Sequence, residues 1–348
     1  MSYNPVRAVI IDGQDVSRQI VSLSYEDHAV DVDMLTLEIA NPDGKWSDSE
    51  VFAQGKTVEL FLGYGRALTK MFKGTLVRPE LSFPETGVPT MTVRAYDLSY
   101  RMRRSEEKTQ TTWQNVTDSQ LAAEIASRYG FKTNQMVIDQ TPEIIPYAAQ
   151  GNLTDWEFLK ERALRRGFEL YVEQDDFHFH APKDYLRKIS GALEYRRNLK
   201  SFEPRLSVEE QVSKVVVKGW DAQTKTPIVA MATSASVAGR PVLGSQSAAD
   251  FVREDFGDNA KILFDKVPAT QKEAEDIAQA YFKQKEFTLI EAQGACVGTV
   301  DLKAKSLLEI AGCGKKFSGL YYLTCVTHTL DDNGYLCGFE CKRNAIEA

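Results

Sequence analysis

The feature that most constrains the fold is a long alternating segment near the C-terminal end, residues 321–344, YYLTCVTHTLDDNGYLCGFECKRN. Apolar and polar residues alternate on both sides of DDNG, which is the pattern of two half-buried antiparallel strands. Asn333-Gly334 is the strongest two-residue signal for a type I′ turn. With that turn, Asp332 faces Tyr335, Leu330 faces Cys337, His328 faces Phe339 and Val326 faces Cys341. One face then carries Val326, His328, Leu330, Cys337, Phe339 and Cys341. The other carries Cys325, Thr327, Thr329, Gly338, Glu340 and Lys342.

Three thiols and an imidazole in this segment resemble a zinc ligand set, but the register forbids one. Cys325 points away from His328. Cys337 and Cys341 share a face at a separation of about 13 Å, too far for one tetrahedral ion or for a disulfide. His328 reads instead as a core histidine held by a neighbouring group. No metal and no cofactor is expected.

Short alternating strands also fill the first hundred residues. RAVIIDGQDV is strand, D-G turn and strand. MLTLEIANPDGKW alternates until N-P-D-G, KTVELFLGYGRALTKMFKGTLV turns at its glycines, and TMTVRAYDLSY alternates again. This spacing predicts a barrel or sandwich. Two capping boxes follow, Thr117 to Gln120 and Thr154 to Glu157. The first opens a helix with the stripe Leu121, Ile125 and Tyr129. The second opens one carrying Phe158, Leu159, Ala163 and Leu164 and ending at Gly167. Each leads into Gly-Phe and a strand, making a small α/β unit. From about residue 205 the β pattern returns, with a small-residue stretch at 232–250 read as a long loop. A helix capped at Thr270 then buries Ala274, Ile277, Ala278, Tyr281 and Phe282.

The expected class is therefore α+β and mainly β. Two β-barrel-like domains, residues 1–104 and 191–348, flank an α/β insert at 105–190. The second β domain has one late helix and a long loop near 230–268.

Chemistry is scarce in this sequence. Gly63-Tyr64-Gly65 lacks the third glycine of a dinucleotide loop, and GCGKKF at 312–317 has Glu309 where a phosphate loop needs its first glycine. His178 and His180 share a strand face and read as a polar face alternating with Phe177 and Phe179. No pair of carboxylates is brought together by spacing. Lys and Arg are outnumbered by Asp and Glu, net charge −7, so no nucleic-acid partner is expected; YRMRRSEEK, KERALRRGF and EYRRN are read as solvated faces. No apolar run of about 18 residues is present, so no membrane segment is expected. The five cysteines are an odd number, all from Cys296 onward, which favours reduced thiols in a cytoplasmic product.

The pattern as a whole resembles the phage late control D family. These are baseplate hub proteins of contractile tails and injection systems, related to the hub part of spike proteins of type VI secretion. VDMLTLEIANPDGKW, TMTVRAYDLSYRM with Asp97, and NLTDWEFLKERALRRGFELYV are similar to its blocks. So are VSKVVVKGWDAQTKTPI with Gly219, Trp220 and Asp221, and the terminal segment with Gly319, Tyr322, His328, Gly334 and Tyr335. The resemblance implies a homotrimer and no catalytic set. It also implies a ring of six β domains that adapts a hexameric inner tube, or its initiator proteins, to a trimeric spike, within a baseplate that includes wedge proteins. Because the sequence stops at Ala348, the spike is expected to be a separate polypeptide. The alternatives are a β-rich cell-wall or glycan hydrolase using carboxylates such as Glu173 or Asp175, and a glycan-binding module. That module would use Trp46, Trp113, Trp156 and Trp220 as platforms, although most of these read as core or interface.

Overall fold

The computed structural model describes residues 4–104, 111–182, 189–221, 224–237, 241–264, 268 and 270–347. The first region contributes β1 (Pro5–Ile11), β2 (Gln14–Asp15), β3 (Ile20–His28), β4 (Met34–Ala40), β5 (Thr57–Tyr64), β6 (Ala67–Ser82) and β7 (Thr90–Tyr96). The insert contributes β8 (Thr112–Val116), α1 (Asp118–Arg128), β9 (Met136–Ile138), β10 (Ile145–Ala149), α2 (Asp155–Arg166), β11 (Glu169–Glu173) and β12 (Asp176–His180). The last region begins with β13 (Ile189–Glu194), β14 (Leu199–Leu206), β15 (Lys214–Asp221), β16 (Thr226–Thr233), β17 (Gln246–Ser247), α3 (Ala248–Phe256) and β18 (Ala260–Leu263). It continues through α4 (Gln271–Glu286), β19 (Ile290–Val297), β20 (Leu307–Ala311), β21 (Gly319–Asp331), β22 (Gly334–Arg343) and β23 (Ala345–Ile346).

Most strands join one sheet, in the order β14-β19-β22-β21-β3-β4-β7-β6-β5-β1-β2, with β20 and β13 branching from β21. The link between the two β regions is the β21–β3 ladder, in which His328 opposes Tyr25 and Leu330 opposes Leu23. The strand path does not return on itself among the described residues, so the sheet is open rather than two closed barrels. Its alternation is regular: Leu35, Leu37 and Ile39 are fully buried on β4, and Met91, Val93 and Ala95 are buried on β7. One apolar core underlies both β regions, from Val9 to Ile346.

The terminal hairpin turns one residue earlier than expected. Asp331 faces Gly334, Leu330 faces Tyr335, His328 faces Cys337 and Val326 faces Phe339, with a bulge between Leu323 and Cys325. Only Gly334 has positive φ, at 110°, so the two central residues, Asp332 and Asn333, do not make a type I′ turn. The cause is local. The Asp331 carboxylate accepts the Asn333 N–H at 2.7 Å, and this side-chain turn fixes the chain reversal one residue before the N-G pair. The register moves by two, an even shift, so the face membership survives while every opposed pair changes.

Both insert helices start at their boxes. The Thr117 side chain accepts from Gln120 N, and the Thr154 side chain accepts from Glu157 N. Gly167 closes α2 in the left-handed region. Their apolar faces meet β11 and β12 in a separate core containing Trp113, Leu121, Trp156, Leu159, Phe177 and Phe179. Leu164 is the exception, half exposed on the outer side of α2.

A third core was not anticipated. Strands β16, β15 and β18 form their own sheet, and α4 packs on it through Ala274, Ile277, Ala278 and Phe282. The stretch read as a loop near 230–268 therefore contains α3 and β18. The Ser247 side chain accepts from Asp250 N and starts α3, whose Ala248, Ala249 and Val252 are buried. Small residues there allow close packing rather than marking a loop, although residues 238–240 lie outside the described residues.

Candidate assembly surfaces and buried polar clusters

The eight strands from β14 to β6 are each antiparallel to the next. One face is the core. The other carries Glu203, Arg205, Glu291, Glu340, Thr327, Thr329, Ser24, Glu26, Glu38, Arg94 and Glu80, all half-buried or exposed. Both ends of this run are open among the described residues. β14 pairs only with β19, and β6 beyond Leu76 pairs only with β7. Along β6 the core-side residues emerge from cover: Leu81, opposite buried Met91, is 44% exposed, and neighbouring Phe83 is 60% exposed. A second uncovered surface is the outer face of β16-β15-β18, where Trp220, Val229, Met231, Ile262 and Phe264 are all exposed.

The motif positions named from the sequence do not converge on one site. Asp97 is buried where the end of β7 meets the β3–β4 turn. It accepts the Asp33 N–H at 2.7 Å and the Ser99 N–H at 2.6 Å. Lys305 completes that cluster, donating to Asp27 at 2.9 Å and to the His28 carbonyl at 2.7 Å. Burial pushes the Asp33 carboxyl upward against the pull of Lys305, and burial likewise raises Asp97.

Gly219 lies where a Cβ would meet the Pro268 ring at 2.7 Å, and Asp221 accepts the Thr224 N–H in the following turn. Trp220 faces outward. Of the other tryptophans, Trp113 and Trp156 are core, and Trp46 packs edge-on against Phe52. Tyr322 donates to Glu169 at 3.3 Å and ties the insert to the sheet. Burial lifts the Glu169 carboxyl to about 7 despite that hydrogen bond.

Gly319 has a simple reason to be glycine: φ is 131°, and a Cβ would stand 2.7 Å from the Arg343 guanidinium. Arg343 is fully buried and was missed from sequence. It donates to the Leu243 carbonyl, the Ser318 carbonyl and Glu347 at 2.7–2.8 Å, and lies over the Tyr321 ring. Only its position at the end of an alternating strand, on the buried parity, could have revealed it.

His328 and Tyr335 do come together. His328 Nδ1 is 2.7 Å from the Tyr335 hydroxyl and 3.3 Å from Cys337 Sγ, and the imidazole stacks on Tyr25. Cys325 is on the opposite face, as expected, and the shifted register sets it across from Glu340. Cys296, on β19, is the residue directly opposite Cys337 on its other side.

His178 and His180 alternate with buried Phe177 and Phe179, but their face is covered rather than solvated. His178 stacks on Tyr171 at 4.3 Å, and Tyr171 lies beneath the Lys305 ammonium. Burial, then His180 and Lys305, push His178 down to about 4. Of the proposed hydrolase carboxylates, Asp175 pairs with Lys73 and Lys70, and Glu173 with Lys303, so both act as ties between insert and sheet. Among the described residues no three His, Cys, Asp or Glu side chains converge to hold a metal, and no helix is long and apolar enough to cross a membrane.

This architecture recurs in solved tail proteins. A 43 kDa tail protein from prophage MuSo2 of Shewanella oneidensis superposes with a TM-score of 0.72 at 15% identity, covering 98% of each chain. A tail protein from Neisseria meningitidis gives 0.72 at 12% identity over 99% of this chain and 98% of that one. An E. coli component of the type VI secretion system gives 0.61 at 11% identity, over 96% of this chain and 76% of that one. The chain thus has the fold of phage tail and type VI secretion proteins. By sequence, the model of the family described as Alg8 N-terminal domain matches residues 7–332, and the chain belongs to that family. No curated protein matches it.

Proposed function

We propose that this chain is a structural subunit of a contractile tail or injection particle: a baseplate hub of the late control D type. Three copies form a ring that joins a hexameric inner tube to a trimeric spike. In this reading residues 1–104 and 191–348 supply two related β domains, and 105–190 is the insert. The chain is made in the cytoplasm and is then built into a baseplate whose wedge proteins surround it.

The observation that carries the reading is the antiparallel run from β14 to β6 with both ends open. Eight is even, so the end strands run in opposite directions, and β14 of one copy can meet distal β6 of the next in antiparallel pairing. Such head-to-tail contact closes into a ring under three-fold rotation. The uncovered Leu81 and Phe83 at one end support this, because a neighbour would complete the core there. Pro79 and Pro204 each interrupt an edge ladder, so the junction combines partial pairing with side-chain packing. The polar face then lines the ring.

Light scattering tests the proposal. A mass near three times 39.0 kDa supports it, and a clean monomer at high micromolar concentration, also with the spike present, overturns it.

The enzymatic alternative rests on the family description, which names a protein other than a tail component. Clearing on cell-wall zymograms, abolished by Glu173→Gln or Asp175→Asn, would favour it over the hub.

A further inference from the structure

Three side chains lie in a row across three adjacent strands of the main sheet: His328 on β21, Cys337 on β22 and Cys296 on β19. All three are fully buried. Cys337 is the middle member. Its Sγ is 3.3 Å from His328 Nδ1, receives the Thr299 N–H at 3.4 Å and can donate to the Thr299 carbonyl at 3.5 Å. Among the described residues His328 Nε2 is buried without a hydrogen-bond partner, so the hydrogen bonds of this imidazole are made from its Nδ1 side. Directly opposed residues on antiparallel strands have Cα atoms about 4.5–5.5 Å apart. That lies within the disulfide range of about 4.4–6.8 Å.

We propose that Cys337 and Cys296 form a peroxide-reactive pair, with Cys337 as the attacking thiolate, Cys296 as the resolving thiol and His328 as the residue that holds the thiolate. The surroundings favour this division of labour. The adjacent Cys296 thiol, then the His328 contact, draws Cys337 below the ordinary thiol range against the opposing effect of burial, and the same pairing raises Cys296. The thiolate is the nucleophilic form of cysteine, so Cys337 makes the first attack, and Cys296 attacks second as it gives its proton to the departing hydroxyl.

In the first step the Cys337 proton passes to His328. The sulfur attacks one oxygen of hydrogen peroxide, the O–O bond breaks, and the departing hydroxide takes the proton as water, leaving a sulfenic acid. In the second step Cys296 sulfur attacks Cys337 sulfur, the S–O bond breaks, and the hydroxyl leaves with the Cys296 proton as a second water. Two thiols are oxidised to one disulfide as one peroxide is reduced to two waters. The small size of peroxide matters, because neither sulfur reaches the surface. The product staples β19 to β22, near the β14 end of the antiparallel run.

The test is peroxide treatment of the full chain, alkylation after denaturation, digestion and mass spectrometry. Loss of two hydrogens on linked Cys296 and Cys337 peptides, reversed by dithiothreitol, supports the pair. A Cys296→Ala variant should keep the sulfenic acid on Cys337, labelled by dimedone once the treated protein is denatured, and His328→Gln should slow oxidation several-fold with an unchanged circular dichroism spectrum. Oxidation of the less buried Cys313 and Cys325 while Cys296 and Cys337 remain alkylatable overturns the proposal. An unchanged rate in His328→Gln removes the histidine from it.

Discussion

Arg343 and Gly319 form a unit whose halves depend on each other. Substituting Arg343→Met leaves two backbone carbonyls and Glu347 without their donor. Loss of a buried charged donor from such a set should cost about 3–5 kcal/mol, read as a lower urea midpoint. Gly319→Ala forces a methyl against the guanidinium at a positive φ and should cost about 1–3 kcal/mol. Gly338→Ala is the control. Its nearest neighbour would be Thr327 at 3.9 Å, so its effect should stay within about 1 kcal/mol. Sequence reasoning could place these residues on strands, but not the partners that make them matter. Leu243 is a hundred residues from Arg343, and no local pattern records that meeting. The turns show the same limit. Asp12-Gly13 takes positive φ at both residues, 46° and 83°, as a D-G signal predicts. Asn333-Gly334 carries the stronger signal and is overruled by a single carboxylate at Asp331.

Helix starts were legible because capping is local: all three expected helices begin at the threonine that the sequence marks. Thr154→Ala should remove about 1 kcal/mol of stability, measured by thermal unfolding. The β16-β15-β18 sheet was not legible as a separate unit, since its strands alternate as those of the main sheet do, and only pairing partners tell them apart. The docking of β11 on β21 gives a pH prediction. Glu169 faces Tyr322, with Lys305 and Tyr171 nearby, and its carboxyl titrates at about 7 when folded. A raised acid favours the folded state while protonated. Stability from this group is therefore full below its unfolded value near 4.5 and is lost as pH rises to 7. The loss should be at most about 3 kcal/mol between pH 4.5 and 8, seen as a slope in unfolding free energy that Glu169→Gln removes.

At the scale of the molecule, a mainly β chain with an α/β insert was readable from alternation and punctuation. The merging of two β regions into one sheet was not, because the β3–β21 ladder joins residues some three hundred positions apart. If the open ends are where copies meet, Leu81→Lys with Phe83→Lys should yield monomer in light scattering with little change in melting temperature. Both side chains are already exposed in a single chain. The same long ladder bears on when the protein can assemble. As the chain leaves the ribosome, β3, β4 and β7 emerge well before β21, the strand with which β3 pairs. Until then β3 holds an unpaired edge, and the sheet cannot be completed before β21 has been made. If copies meet through the open ends of the sheet, a chain that has not yet made β21 and β22 cannot present both ends in one sheet and is kept from joining its neighbours.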